Sequence, residues 1–164
     1  MQDIKLEKMT IDDYNHYIFS AITSYEAELL LSGRFDTKQA AHEFAVWEYD
    51  DIFKNGFSTP DTYLYNIFAN GQKVGSIWFL NEDKLGVSGE TFIGDFLINE
   101  ANRKKGYGYK ALLMVEKLAK EQGLIEMRLG VMNHNTNAKK LYARAGYKVF
   151  KEREHDCVMR KFLA

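Results

Sequence analysis

TFIGDFLINEANRKKGYGYKALLMVEKLAKEQGLIEMRLGV, residues 91–131, decides the fold. Residues 91–98, TFIGDFLI, are almost continuously apolar, as in a central strand covered on both faces. Arg103, Lys104, Lys105, Gly106 and Gly108 follow, cations and glycines crowded into one turn. Behind them Gly108, Ala111, Leu112, Val115, Leu118 and Ala119 recur at helical spacing over about 107–122, and Gly123 is a natural stop. Residues 125–131 alternate, Ile125, Met127, Leu129 and Val131 against Glu126, Arg128 and Gly130, which predicts a strand. Strand, basic turn, helix and strand make a βαβ unit.

Upstream, residues 3–8 form a candidate first strand. Thr10 and Asp13 have the spacing of a capping box, and Ile11, Tyr14, Ile18, Ala21, Tyr25 and Leu29 recur on one helical face up to Ser32-Gly33. Asp36 and Gln39 open a second helix, with Ala41, Phe44, Ala45 and Ile52 on one face, ending near Asn55-Gly56. TYLYNIFA and QKVGSIWFL flank Asn70-Gly71, the dipeptide of a tight hairpin. Residues 81–90 read as a polar loop. Downstream, a short helix over about 136–145 closes at Gly146, and strands near 147–152 and 156–162 finish the chain. The order is β-α-α-β-β-β-α-β-α-β-β. The hairpin makes the sheet mixed, α/β with antiparallel strands around one parallel unit.

The 164 residues suggest one domain, with 46% hydrophobic residues and no apolar run long enough for a membrane span. The start, MQDIKLEKMT, has no apolar core of a secretory signal. A lone Cys157 fits a reducing, cytoplasmic setting and reads as a small buried residue on a late strand. His16, His42, His134 and His155 are scattered, with no metal-site spacing. The net charge of −1 hides an asymmetry: residues 1–99 hold 7 Lys/Arg against 16 Asp/Glu, and residues 100–150 hold 11 against 4. A basic segment beside an acidic one suits an anionic ligand on one side and a cationic one on the other. A chain that is not basic throughout disfavours nucleic acid as a partner.

The first turn of a helix leaves about four backbone N–H groups without partners, and the helix dipole adds roughly half a positive charge there. Helix starts usually carry an oxygen-bearing cap and acidic residues. This one carries cations and glycines, the composition of a pyrophosphate cradle, although glycine-rich helix starts also occur as plain structural turns. Neither G-x-x-x-x-G-K-[ST] nor G-x-G-x-x-G is present, which sets aside a nucleotide triphosphatase and a dinucleotide site.

Two segments carry a family resemblance. Arg103-Lys104-Lys105-Gly106-Tyr107-Gly108 resembles the [QR]-x-x-G-x-[GA] signature of the GCN5-related N-acetyltransferases (GNAT). Asn135-x-x-Ala138-x-x-Leu141-Tyr142-x-x-x-Gly146-Tyr147 is similar to a second segment of that family, in the same order and at the same separation. The clear match covers about residues 91–150, and the order of elements extends it over the chain. The resemblance implies a mixed, mostly antiparallel sheet of about seven strands flanked by helices. It also implies direct transfer of an acetyl group from acetyl-CoA to an amine.

In the family the strands corresponding to 91–98 and 125–131 splay apart, and the first carries a bulge. The backbone of Phe96, Leu97 and Ile98 then occupies the positions that hold the coenzyme arm and polarise the thioester carbonyl. Arg103, Lys104, Lys105, Gly106, Tyr107, Gly108 and Tyr109 correspond to the pyrophosphate turn, and Asn135, Ala138 and Tyr142 to further coenzyme contacts. Tyr142 matches the family's usual general acid for the leaving thiolate, a phenol being protonated at neutral pH. Its other reading is a core tyrosine. Asn135 matches a residue that contacts the coenzyme arm and also reads as a helix N-cap.

The general base stays open between Glu90 and Asp95, with water alone as a third route. Burial in an apolar strand can raise the pKa of Asp95 usefully, or the side chain can cap a backbone N–H at the bulge. Glu90 also reads as a solvated loop residue. Family members place the first two helices over the acceptor. Residues 10–55 hold nine acids against three bases, and Glu48, Asp50 and Asp51 with Trp47 and Tyr49 either meet a cationic amine or form a solvated helix face. Trp78 lines the same pocket or packs in the core. The competing functional class is a coenzyme A-binding sensor or interaction module without turnover. A homodimer is a further expectation of the resemblance.

Overall fold

A computed structural model describes residues 3–81 and 90–163. The strands are β1 (Ile4–Lys8), β2 (Thr62–Ala69), β3 (Gln72–Asn81), β4 (Glu90–Ile98), β5 (Glu126–Met132), β6 (Lys148–Glu152) and β7 (Asp156–Phe162). The helices are α1 (Ile11–Leu31), α2 (Lys38–Ile52), α3 (Tyr107–Glu121) and α4 (Thr136–Arg144). Among the described residues the seven strands form one sheet in the order β1-β2-β3-β4-β5-β7-β6, antiparallel throughout except for the parallel pair β4–β5. The expected fold class and element order are both found.

Local chemistry explains most of the boundaries. Thr10 and Asp13 close a reciprocal capping box on α1, with bonds of 2.9 and 3.1 Å. Asn70 and Gly71 take positive φ of 52° and 81°, the two-residue turn whose twist matches its strands. The start of α2 differs from expectation. Its cap is Thr37, which accepts from the Ala40 N–H at 3.2 Å, and Asp36 stands outside the helix. The alternation predicted from residue 125 also begins too early. Ile125 is 60% exposed, whereas Leu124 and Glu126 are buried. Glu126 is tolerated inside because Arg128 and Arg160 lie 2.8 and 3.7 Å from its carboxylate. The Glu90 backbone pairs with Glu126 at the start of β4, but its side chain lies outside the described residues, as does most of the 81–90 loop reading.

The sheet separates two apolar layers. Ile77, Phe79 and Ile93 pack with Ala111, Leu112 and Val115 of α3 and Tyr142 of α4 on one face. Trp78 and Leu80, alternating with them on β3, pack with Tyr14, Tyr17 and Ala21 of α1 and Tyr49 of α2 on the other. Ile11, expected on that inner face, is exposed. Cys157 is buried on β7, as expected. Among the described residues no helix is long and apolar enough to cross a membrane, and no cluster of His, Cys, Asp and Glu is arranged to hold a metal ion.

Candidate active site

The geometry begins where β4 leaves its neighbour. β4 pairs with β5 only from Glu90 to Ile93, and past Ile93 the two strands share no pairing among the described residues. On its other side β4 continues along β3, but the register shifts: Trp78 faces Asp95 and Phe79 faces Ile93, which leaves Gly94 as the extra residue of a bulge. A side chain at Gly94 would force the indole to shift, because a Cβ there falls 1.8 Å from Trp78 Cη2. The indole lies flat against the bulge. From Asp95 to Ile98 one edge of β4 is held by β3 and the other is freed from β5. Phe96 and Ile98 are half-buried and Leu97 is exposed.

The freed edge runs toward the basic turn. The helix N-cap is Gly106, at φ 81° in the left-handed region, and among the described residues no side chain caps α3. Its first N–H groups therefore remain open to an outside acceptor. Lys104 also takes a positive φ of 60°. Arg103 Nε donates to the Ile98 carbonyl at 2.8 Å, so this cation ties the turn to the end of β4. Lys104 and Lys105 are exposed beside it. Gly108 lies on the packed stripe of α3, as its spacing predicts. A Cβ there would meet Leu141, Phe96 and Ile98 side chains at 3.4–3.6 Å, ordinary contact, so this face of α3 packs toward α4 and β4. Tyr107 is buried in the core, and the Arg144 guanidinium stacks 4.9 Å from the Tyr109 ring.

Asp95 is the charged centre of the opposite layer. Tyr17 of α1 donates its O–H to Asp95 Oδ2, and Trp78 Nε1–H donates to the Tyr17 oxygen at 2.9 Å. The Tyr49 hydroxyl lies within hydrogen-bonding reach of the same oxygen. Burial pushes the Asp95 carboxyl above its usual range, the Tyr17 hydroxyl and the Phe96 backbone N–H pull it back, and the charge of Glu28 raises it. Both sequence readings of Asp95 thus coexist: its carboxylate is bonded by a backbone N–H beside the bulge, and its proton affinity is raised.

Tyr142 of α4 is buried between Phe96 and Tyr147, with ring centroids 6.5 and 6.0 Å away. Burial and then the charge of Asp95 hold its phenol well above the usual range, so it stays protonated. Asn135 caps α4, its Oδ1 accepting from the Ala138 N–H at 3.3 Å.

The acidic run on α2 does not act as one patch. Tyr49 points inward to the Tyr17 cluster, while Trp47, Asp50 and Asp51 face outward and Asp51 pairs with Lys54 at 3.6 Å. The Glu48 carboxylate lies beside the Tyr25 hydroxyl and, after burial, raises its pKa, while Glu48 Oε2 is buried with no hydrogen-bond partner among the described residues. Trp78 is a core residue, 1% exposed. Beyond the end of α1 a cavity of about 220 Å³ opens against the β6–β7 turn, lined by Tyr25, Leu29, Arg34, Met132 and His155 among others. Nearby, Glu28 bonds His134 at 2.8 Å. Tyr17 escaped the sequence reading. Its place three residues after Tyr14 marks it as buried, but nothing local announces a carboxylate from residue 95 above it.

Comparison with known proteins agrees with this geometry. The profile of the Acetyltransferase (GNAT) family matches residues 25–147. The chain is 31% identical over 143 residues to the uncharacterized N-acetyltransferase YdgE of Bacillus subtilis, covering 87% of this chain and 90% of that one. It is 29% identical to the uncharacterized N-acetyltransferase YycN of the same organism, over 98% of this chain and 99% of that one. The crystal structure of YycN superposes with a TM-score of 0.85 over 92% of this chain and 96% of that one. The PaiA N-acetyltransferase of Thermoplasma acidophilum, solved in complex with coenzyme A, shares the fold, with a TM-score of 0.72 at 21% identity over 98% and 99% of the two chains. With three quarters of its length matched and its sheet parted at β4, the chain belongs to the acetyltransferase (GNAT) family.

Proposed function

We propose that residues 1–164 act as one catalytic domain that transfers an acetyl group from acetyl-CoA to a primary amine of a small molecule or peptide. The observation that carries this reading is the freed edge of β4 running from a raised-pKa carboxylate at Asp95 to an uncapped, cationic helix start at Gly106. Acetyl-CoA supplies an acetyl group activated as a thioester. The residues fit its two polar demands. The open N–H groups of α3 with Lys104 and Lys105 suit a pyrophosphate. The backbone groups on the β4 edge that has parted from β5, along Phe96, Leu97 and Ile98, suit the amides of the pantetheine arm.

The remaining chemistry is proton handling. Asp95 takes a proton from the acceptor amine, for which a raised carboxylate pKa brings its strength toward the working pH. Tyr142 stays protonated and offers its O–H to the departing sulfur. Its high proton affinity makes this first a hydrogen bond that stabilises thiolate charge, with the proton following as that charge develops. Asn135 and Ala138 border the arm from the start of α4. The acceptor enters from the α1 side, past Glu28 and the cavity at Tyr25 and Leu29, whose lining carries groups of both signs, Arg34 and Arg153 with Glu154 and Asp156. A coenzyme A-binding module without turnover keeps the turn but has no use for a paired Asp95 and Tyr142.

Calorimetric titration with acetyl-CoA, with ADP as the weaker control, tests the first half. Micromolar binding is expected, and no binding refutes the reading. Thiol release across a panel of amines tests the second half. Tyr142→Phe is expected to keep acetyl-CoA affinity and lose about 10- to 100-fold in turnover. Unchanged turnover removes Tyr142 as the acid.

A further inference from the structure

The chain of contacts Trp78–Tyr17–Asp95 has a fixed polarity. An indole N–H can only donate, so the Tyr17 oxygen accepts from Trp78. A phenol has one proton, and that proton lies on the bond to Asp95 Oδ2. Each link comes from a different element: Tyr17 from α1, Trp78 from β3 and Asp95 from β4. Trp78 has no freedom to turn. Its ring is pressed on the Gly94 bulge and sits edge-on to Phe53 and Tyr49 at 5.0 and 6.3 Å. A rigid indole therefore fixes a phenol, and the phenol fixes one oxygen of the carboxylate.

The geometry points to Tyr17 as the positioning residue of Asp95: it occupies Oδ2, locks the carboxylate beside the parting of β4 and β5, and leaves Oδ1 as the oxygen that takes the amine proton. This rests on the reading of Asp95 as the base. The amine proton passes to Oδ1, and Tyr17 keeps its own. Every group that faces this carboxylate bears on its charge. From α1 come Tyr17 and Glu28, from α2 Tyr49, from α4 Tyr142, and from β3 the neutral Trp78. Of these, Tyr17 is the group whose side chain favours the ionised form, because its O–H bonds the charged oxygen. When Asp95 is protonated, its Oδ2 no longer draws the Tyr17 proton as strongly, and the Trp78 N–H sees a changed acceptor.

That coupling gives a readout independent of turnover. The chain has two tryptophans, and Trp47 is 60% exposed, so the buried Trp78 indole N–H is separable by NMR and assignable with Trp47→Phe. In the intact protein the Trp78 indole resonance is expected to shift with pH in step with the Asp95 carboxyl carbon. Asp95→Asn abolishes the indole step. Tyr17→Phe, which keeps the ring and its packing, moves the carboxyl step up by about one pH unit and cuts the indole off from it. The acid limb of the pH–rate profile moves up by the same amount. A carboxyl step that stays in place in Tyr17→Phe overturns the proposal. If Tyr17→Phe does not fold, the intact protein still decides, since an indole blind to the carboxyl step overturns it as well. Undiminished transfer by Asp95→Asn overturns the base reading alone and leaves the coupling between Tyr17 and Asp95 standing.

Discussion

Two halves of the site meet at Gly94 and are made from different material. On the α3 side, the turn from Arg103 to Gly108 leads into the first backbone N–H groups of a helix without a side-chain cap, and the side chains mainly supply charge and room. On the α1 side, Tyr17 and Asp95, 78 positions apart, bond side chain to side chain, Trp78 holds the Tyr17 oxygen, and the backbone contributes the Phe96 N–H. The first half can hold any ligand with a pyrophosphate and tolerates change wherever the turn keeps its shape. The second depends on individual atoms. A binding function can therefore survive losses that end catalysis.

The sharpest break between the halves is Asp95→Asn. Removing a general base costs about 100- to 10,000-fold in transfer, whereas acetyl-CoA affinity should stay within a few-fold. The same change should stabilise the fold. Asp95 has its carboxyl raised above the ordinary value of 3.8, so the folded state binds more protons than the unfolded state between those two values. Stability then falls as pH rises through that window, and at neutral pH the ionised, half-buried group is a standing cost. Asparagine removes it, and a rise in Tm on the order of a few degrees at pH 7 is expected, shrinking as the pH drops. Thiol release and thermal melts of one preparation check both. A fall in Tm together with unchanged transfer makes Asp95 a structural residue.

Gly106→Val strikes the other half. A β-branched residue at φ 81° is strained, and its methyl groups stand where an anion must approach the backbone. Acetyl-CoA affinity should weaken by about 100-fold or more, read calorimetrically well below the melting temperature so that lost stability does not masquerade as lost binding. Undiminished affinity breaks the division of labour, because the turn is then only a helix start.

The difference in material also explains what the sequence disclosed. Arg103–Gly108 and Asn70-Gly71 are readable because each satisfies its own local geometry within a few residues. The βαβ unit is readable because an apolar run and a helical stripe carry period alone. The alternation puts the inner set Met127, Leu129 and Val131 in the right phase but begins the strand one residue early: Ile125 lies outside it and exposed, Leu124 is buried before it, and the ion pairs from Arg128 and Arg160 that permit a buried Glu126 come from partners along and across the sheet. Asp95 was legible as an acid in an apolar strand. Tyr17 was not, since its role is set by a contact between residues in different elements.

Gly94→Ala tests whether the bulge serves the side-chain half. The new methyl overlaps the Trp78 ring, and the ring, wedged against Phe53 and Tyr49, has to shift. Overpacking of this kind costs about 1–3 kcal/mol, seen as a drop of several degrees in Tm. Trp78 fluorescence should change and transfer should fall further than acetyl-CoA affinity. Equal losses in both would mean that the bulge holds the coenzyme edge of β4 as firmly as it holds the indole.

Gly108→Ala should do least, and that is its value. The basic turn contains two glycines that look alike in the sequence but differ in the structure. Gly106 is needed for its left-handed φ. Gly108 lies inside α3 with ordinary helical geometry, and an added Cβ meets Leu141, Phe96 and Ile98 at 3.4–3.6 Å, which is contact without overlap. Alanine also gains helix propensity of up to about 1 kcal/mol over glycine. Stability should rise or hold, and acetyl-CoA affinity should stay within about threefold by calorimetry. A large loss of affinity would place the ligand against the Gly108 Cα itself and extend the backbone-built half one turn into the helix. An unchanged affinity confines that half to the N-cap, where Gly106 alone requires the absence of a side chain.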